Sequence, residues 1–283
     1  MRFLIILLLL VVGCQPTYTV DKDWLGSLTF YASFDGTLEA DYAKGDPALY
    51  TAANWESPEL ATKVYANHPD VNHVTKAGKY GDALRFDSNW NPIFFFEAAD
   101  NVSYKEENWS GTFSFWLKVK PDEELREGYS DPFIITDKNW DDASIYVDFT
   151  EEDVPRHFRF ALFSDKAVWN PEHKAWDEVL PGDRPMIHVE EHPFATGKWT
   201  HVALTFENVN ARGAEGVMTG YLDGKKIGTY SRDQLLITWE VGKTLMGVGR
   251  HYAGLFDELA VFDRALTEEE IAQLYKMDLG KAL

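Results

Sequence analysis

Gly247-Val248-Gly249-Arg250-His251-Tyr252-Ala253-Gly254-Leu255-Phe256-Asp257-Glu258-Leu259-Ala260-Val261-Phe262-Asp263-Arg264-Ala265-Leu266-Thr267-Glu268-Glu269-Glu270-Ile271 reads as a glycine-lined strand, a tight loop, a second apolar strand and a capped helix. Thr267 followed three residues later by Glu270 is a capping box, and Ile271, Leu274 and Tyr275 form the apolar side of the helix it opens. Strict alternation along the second strand puts Leu255, Asp257, Leu259 and Val261 on one face and Phe256, Glu258, Ala260 and Phe262 on the other. Asp257 then stands among apolar neighbours, where an ionised carboxylate is costly without a partner. It needs a metal ion or backbone N–H donors, and Glu258 is expected to face solvent or a partner.

The same alternation recurs upstream. Phe113, Phe115, Leu117 and Val119 point one way, with Ser114, Trp116 and Lys118 opposite. Strands are expected at Leu25–Phe34, Pro132–Thr136, Ser144–Phe149, His157–Ser164, Trp199–Glu207, Thr244–Arg250 and Leu255–Phe262. Asp223-Gly224 marks a two-residue hairpin turn between Gly216 and Gly228. Residues 38–76 read as a long loop with short strands, and 165–185, with Trp169, Trp176 and Pro181, as an inserted loop. Many short strands with no intervening helices indicate an all-β, two-sheet antiparallel sandwich with one short C-terminal helix.

The chain has 283 residues, 18 Phe, 13 Tyr, 10 Trp and a formal charge of −19. The aromatic content suits sheets, and the charge argues against nucleic acid and anionic membrane surfaces as partners. Met1-Arg2, the apolar run Phe3 to Val12, and Val11-Val12-Gly13-Cys14 read as a bacterial lipoprotein signal. The expected organisation is a signal peptide over 1–13, a tether over 14–24 with the only cysteine, Cys14, lipidated, and one domain over 25–283. That places the protein in the bacterial cell envelope, periplasmic or surface-exposed, joined to the membrane by its lipid alone. One cysteine allows no internal disulfide.

Six motifs in order carry a family resemblance: Phe34-Asp35-Gly36, Gly81-Asp82-Ala83-Leu84-Arg85-Phe86-Asp87, Phe113-Ser114-Phe115-Trp116-Leu117, Trp199-Thr200-His201-Val202-Ala203, Tyr221-Leu222-Asp223-Gly224-Lys225 and Gly254 to Tyr275. The chain resembles the laminin-G-like, concanavalin A-like jelly-roll domains of bacterial surface proteins. The resemblance implies a curved sandwich whose concave face and loops bind glycans or proteins, and a structural Ca²⁺ for which Asp35 and Asp257 are the matching positions. The alternative for Asp257 is acceptance of N–H bonds from a neighbouring turn.

Strand parity turns Trp116, Tyr146, Asp148, His157, Arg159, Trp199 and His201 away from the core. Aromatic rings cover the apolar faces of sugars, and charged forks bind hydroxyls and carboxylates, so these residues are the expected ligand face. The competing reading is an Asp148–Arg159 ion pair among ordinary surface aromatics. Trp140 with Asp141 and Asp142, Trp169, Trp176, His188 with Glu190, Glu191 and His192, and Arg250-His251-Tyr252 are expected around its rim. His188 and His192 are four apart in an extended segment, which is not the helical spacing a zinc pair uses. The Glu-x-Asp-x-x-Glu strand of laminarinase-type relatives and the Tyr-Lys-Gly-Tyr-Gln strand of alginate-lyase-like relatives are both absent. No catalytic residue is assigned. A binding module for a polysaccharide, glycoconjugate or protein is the leading reading, with a polysaccharide lyase, a glycoside hydrolase or a structural envelope subunit as alternatives.

Overall fold

The computed structural model describes residues 23–64, 68–69, 71–87 and 91–283. Cys14, the signal peptide and most of the tether lie outside the described residues. Two antiparallel sheets face each other across a core rich in phenylalanine. The back sheet runs in the order Lys225–Asp233, Glu215–Leu222, Thr200–Val209, Trp109–Lys118, Ala253–Phe262, Leu28–Ala32 and Tyr42–Ala43. Ala83–Asp87 also pairs with Ala253–Phe262 and carries Val71–Val74 beside it. The front sheet runs Met186–Val189, Phe158–Phe163, Ser144–Phe149, Ser130–Thr136, Leu245–Arg250, Ile93–Glu97, Tyr50–Ala52 and Thr62–Lys63. This is the expected jelly-roll sandwich.

The alternating strands supply the core as read: Phe113, Phe115 and Leu117 from the back sheet meet Phe133, Ile135 and Val147 from the front. Phe115 stacks on Phe256 at 5.1 Å and lies 5.3 Å from Phe133. Rings packed across the sheets bury large apolar areas and hold the layers together. Asp223 and Gly224 both adopt positive φ, as a two-residue hairpin turn between right-twisted strands requires. The helix Glu268–Leu274 begins at Thr267, whose hydroxyl accepts the Glu270 N–H, while the Glu270 carboxylate accepts the Thr267 N–H at 2.8 Å.

Outward faces are covered unequally. On the back sheet, Ala203, Tyr221, Ala260 and Phe262 pack under Ile271, Leu274 and Leu279, together with Trp24. Trp24 is buried, so the folded domain includes Asp23–Ser27, a short 3-10 turn, and starts earlier than residue 25. The front sheet's outward face is instead partly roofed by the 165–185 loop, which is not structureless but folds as short helical turns at Lys166–Trp169, Trp176–Glu178 and Pro181–Asp183.

The closing strand departs from its expected parity. Against Trp109–Lys118, Asp257 opposes Trp116 but Ala260 opposes Ser114, so one extra residue is inserted. Glu258 takes φ 57°, the left-handed conformation of such a bulge. The bulge flips the remainder of the strand: Phe256, Leu259 and Val261 enter the main core, while Ala260 and Phe262 face the helix. Glu258, expected to face solvent, is buried and accepts the Tyr31 hydroxyl at 2.8 Å.

Candidate functional site

The front sheet's outward face holds a cavity of about 260 Å³, lined by Tyr129, Asp131, Tyr146, Asp148, Arg159 and Arg250 on its polar side and by Ile134, Trp140 and Trp176 on its apolar side. It shares Ile134, Trp140 and Arg250 with a wider groove of about 840 Å³ that reaches Tyr50, Trp55 and Phe95. Small-ligand sites commonly span roughly 300–1,000 Å³ with a few fixed polar groups among apolar walls.

The floor is set by strand register. Asp148 lies directly opposite Arg159 on the neighbouring strand, so their side chains share a face. Arg159 Nε donates to Asp148 Oδ1 at 2.9 Å and Nη2 donates to Oδ2, giving a two-point pair with both side chains almost fully buried. The guanidinium also stacks 4.9 Å from the Tyr129 ring. One strand pair over, Arg250 opposes Asp131 and donates to its Oδ2 at 3.2 Å. Burial, which outweighs the pull of Arg250, pushes the Asp131 carboxyl up to about 7, with Asp148 adding to the rise.

The aromatic wall comes from two segments. Trp140 follows the strand Ser130–Thr136, and Trp176 sits in the 165–185 loop. Their rings meet edge-on at 5.2 Å, both against Phe163, which stacks on Tyr146 at 5.8 Å. Arg184 lies 4.2 Å from the Trp176 ring and locks it in place. The Tyr146 phenol is fully enclosed, and burial raises its pKa well above the ordinary tyrosine range. It is a fixed wall rather than a proton acceptor.

The expected ligand face is thus divided between two sheets. Tyr146, Asp148 and Arg159 line the cavity, and His157 stands two residues before Arg159, immediately ahead of the strand Phe158–Phe163. Trp116 and His201 do not belong there: they oppose each other on the back sheet and are buried. Tyr275 stacks on Trp116 at 5.5 Å and Lys79 covers its ring at 4.1 Å. His201 bonds to Ser114 Oγ at 2.9 Å, and burial drives its pKa down to about 3, a neutral packed histidine. Trp199, half-buried at the same sheet's end, lies 6.0 Å from the Lys118 ammonium. Parity distinguishes inward from outward but cannot tell one outward face from the other.

Among the rim residues, Trp140, Trp176 and Arg250 do line the cavity, whereas Trp169 packs beneath it. Sequence reasoning passed over Tyr129, Asp131 and Trp55. Asp131 carries a signal after the fact, an acid at the start of an otherwise apolar strand opposite an arginine.

Asp35 and Asp257, the expected calcium positions, converge on one turn. Asp257 accepts the Lys79 N–H at 2.6 Å through Oδ2 and the Glu258 N–H at 2.9 Å through Oδ1. Asp35 accepts the Asp82 N–H at 2.6 Å. Gly81 has φ +55°, and a Cβ there would meet the Asp35 carboxylate at 2.0 Å. This junction lies where the strand bordering Ala253–Phe262 changes from Ala83–Asp87 to Leu28–Ala32, which leaves Asp257 and Glu258 without a backbone partner on that side. Among the described residues no basic side chain forms an ion pair with Asp257 or Glu258. Burial, then the charge of Glu258, pushes Asp257 up to about 9; burial raises Glu258 to about 8 despite the Tyr31 hydroxyl. The all-oxygen donor set suits Ca²⁺ chemically. Backbone carbonyls and water would have to complete it, because among the described residues no three side-chain ligands gather there within 4.8 Å.

Two antiparallel sheets packed face to face, with an aromatic-walled, polar-floored groove on one of them, define the protein as a jelly-roll sandwich domain. Residues 96–272 match the laminin-G family of the concanavalin A-like lectin/glucanases superfamily, and the chain belongs to that family. The fold is similar to domain 4 of AbnA, a GH43 extracellular arabinanase from Geobacillus stearothermophilus, in complex with arabinotriose (16% identity, TM-score 0.55, 88% of this chain and 98% of that one). It is also similar to the binding domain of botulinum neurotoxin DC in complex with rat synaptotagmin II (15%, 0.52, 89% and 52%) and in complex with SialylT (16%, 0.51, 88% and 51%). This chain spans about half the length of those toxin chains. At such identities the likeness establishes the fold alone. No curated protein matches the chain in sequence.

Proposed function

We propose that the protein is a lipid-anchored, extracytoplasmic module that binds a glycan or glycoconjugate in the front-sheet groove. The observation that carries this reading is the buried Asp148–Arg159 fork laid beside Trp140 and Trp176. Each arginine of the cavity has an aspartate partner, so the site is polar with little net charge. That favours hydroxyl-rich neutral sugar units over polyanions, with the indole faces taking the C–H surfaces. The solved domains seen with arabinotriose and with SialylT support a sugar ligand, and the one seen with synaptotagmin II supports a protein as the alternative partner.

Cys14 within Val11-Val12-Gly13-Cys14 supports the lipid anchor and a place in the bacterial cell envelope. Cys14→Ser is expected to shift the protein from the membrane to the soluble fraction. The buried Asp257 and Glu258 support a structural Ca²⁺ shared with Asp35, which would neutralise their charge. A second reading, glycoside hydrolysis, rests on Asp131: a carboxyl near neutrality with Asp148 close by has the character of a general acid. Tyr146 and Asp148, enclosed and paired, do not favour a lyase.

A glycan array with the wild-type protein and Trp140→Ala tests the binding reading. Binding of defined oligosaccharides, weakened about tenfold or more in the variant, is expected, in line with aromatic hot spots. An array without hits, or hits indifferent to Trp140, would overturn it. Shortened oligosaccharides released by the wild type and lost in Asp131→Asn would replace binding with hydrolysis.

A further inference from the structure

His157 and His188 turn their ring nitrogens toward each other. His157 Nδ1 lies 2.6 Å from His188 Nε2, and Asp153 Oδ2 stands 3.2 Å from the first nitrogen and 3.9 Å from the second. Among the described residues this is the only group of three such side chains with ligand atoms within 4.8 Å of one another.

Two segments distant in sequence produce the arrangement, the loop that carries Asp153 and His157 and the strand that carries His188. His157 ends the loop 150–156, which is closed by paired bonds: the Thr150 N–H donates to the His157 carbonyl at 3.0 Å and the His157 N–H donates to Thr150 Oγ1 at 2.9 Å. Arg156 pins that loop, donating to the carbonyls of Gly128 at 2.7 Å and Arg126 at 2.6 Å. His188 comes from the terminal strand of the front sheet, in register with Arg159. Its near neighbour in sequence, His192, is engaged elsewhere, against the Arg156 carbonyl at 2.8 Å.

We propose that Asp153, His157 and His188 form a site for a divalent transition metal of the zinc class. Two imidazole nitrogens can share only one proton between them, and a carboxylate oxygen facing both has too few hydrogens to meet. A single cation satisfies all three acceptors at once. Neutral imidazole and carboxylate ligands suit zinc-class ions better than Ca²⁺, which prefers an all-oxygen shell. Tetrahedral zinc with bonds of about 2.0–2.2 Å separates its ligand atoms by about 3.3 Å. The Asp153–His157 edge already matches; the His–His edge must open slightly. His188 has the room, with 44% of its side chain exposed. Three protein ligands leave further positions for water or an external oxygen ligand, and the site faces the same side as the Asp148–Arg159 pair. It stands independently of what occupies the groove.

The test is Zn²⁺ titration of the tag-free full chain by calorimetry, with the melting temperature followed in parallel and Ca²⁺ as the comparison ion. Wild type is expected to take up one Zn²⁺ per chain at micromolar or better affinity, with a raised melting temperature and no comparable response to Ca²⁺. His188→Ala, a change at an exposed side chain that leaves the fold intact, is expected to weaken Zn²⁺ at least tenfold; His157→Ala should do the same. Failure of the wild type to bind Zn²⁺, or equal binding by the wild type and His188→Ala, would overturn the site.

Discussion

Arg159 reaches over to the adjacent strand to hold both oxygens of Asp148, and the two side chains lie almost wholly out of water at the floor of the front-sheet cavity. An ion pair so buried is costly to dismantle from one side, because the survivor is left charged and unpaired. Its position sets a structural ion pair in the same cavity as Trp140 and Trp176.

Arg159→Met is therefore expected to destabilise the fold by about 3–5 kcal/mol, read by chemical denaturation. The double change Asp148→Asn with Arg159→Met should recover much of that loss while glycan binding stays absent. Additive losses in the double variant would mean that the two side chains act separately.

The buried acids of the closing strand predict a pH dependence of stability. Burial pushes the Asp257 carboxyl up to about 9, with the charge of Glu258 adding to the rise, and pushes Glu258 up to about 8, above their ordinary 3.8 and 4.5. A carboxyl with a raised folded pKa holds its proton more tightly when folded. Its stabilising effect is complete below the ordinary carboxylate range and disappears as pH rises through the folded value. In chelator, the melting temperature should thus fall from about pH 5 to about pH 8, and Glu258→Gln should flatten the fall. Ca²⁺ added at the upper end should restore the loss if it occupies the junction. A melting temperature blind to both pH and Ca²⁺ would remove the calcium proposal.

Tyr275 seals Trp116 and His201 on the back sheet. Tyr275→Ala is expected to lower stability by about 1–3 kcal/mol, a common range for losing a packing contact, and to increase quenching of Trp116 fluorescence. Binding in the groove should not change. A loss of ligand affinity with the fold retained would return Trp116 and His201 to the ligand face.

How much of this was legible beforehand follows from what local patterns encode. Thr267 and Glu270 are three residues apart, Asp223-Gly224 spans one turn, and Phe113 to Val119 alternate over one strand. Each is a local relationship, and each recurs in the structure. Together they suffice for a jelly-roll sandwich, because side-chain periodicity and caps act over a few residues. The closing run added its own lesson. A single inserted residue at Asp257-Glu258 reverses the pleat, and only the mismatch with Trp116 and Ser114 on the neighbouring strand reveals it.

The site is a different kind of object. Its parts come from strands that are adjacent only after folding: Asp131 beside Arg250, Asp148 beside Arg159, and His157 beside His188 from segments 31 residues apart. Along the regular strands the sequence by itself determined which side chains leave the core, since alternation is a property of one strand, and the bulge at Asp257-Glu258 is the exception. Only the tertiary structure decided which outward face each occupies and what covers it, since pairing and sheet membership depend on contacts between distant segments. So Trp116 and His201 lie sealed beneath Tyr275, while Asp148 and Arg159 line the front-sheet cavity.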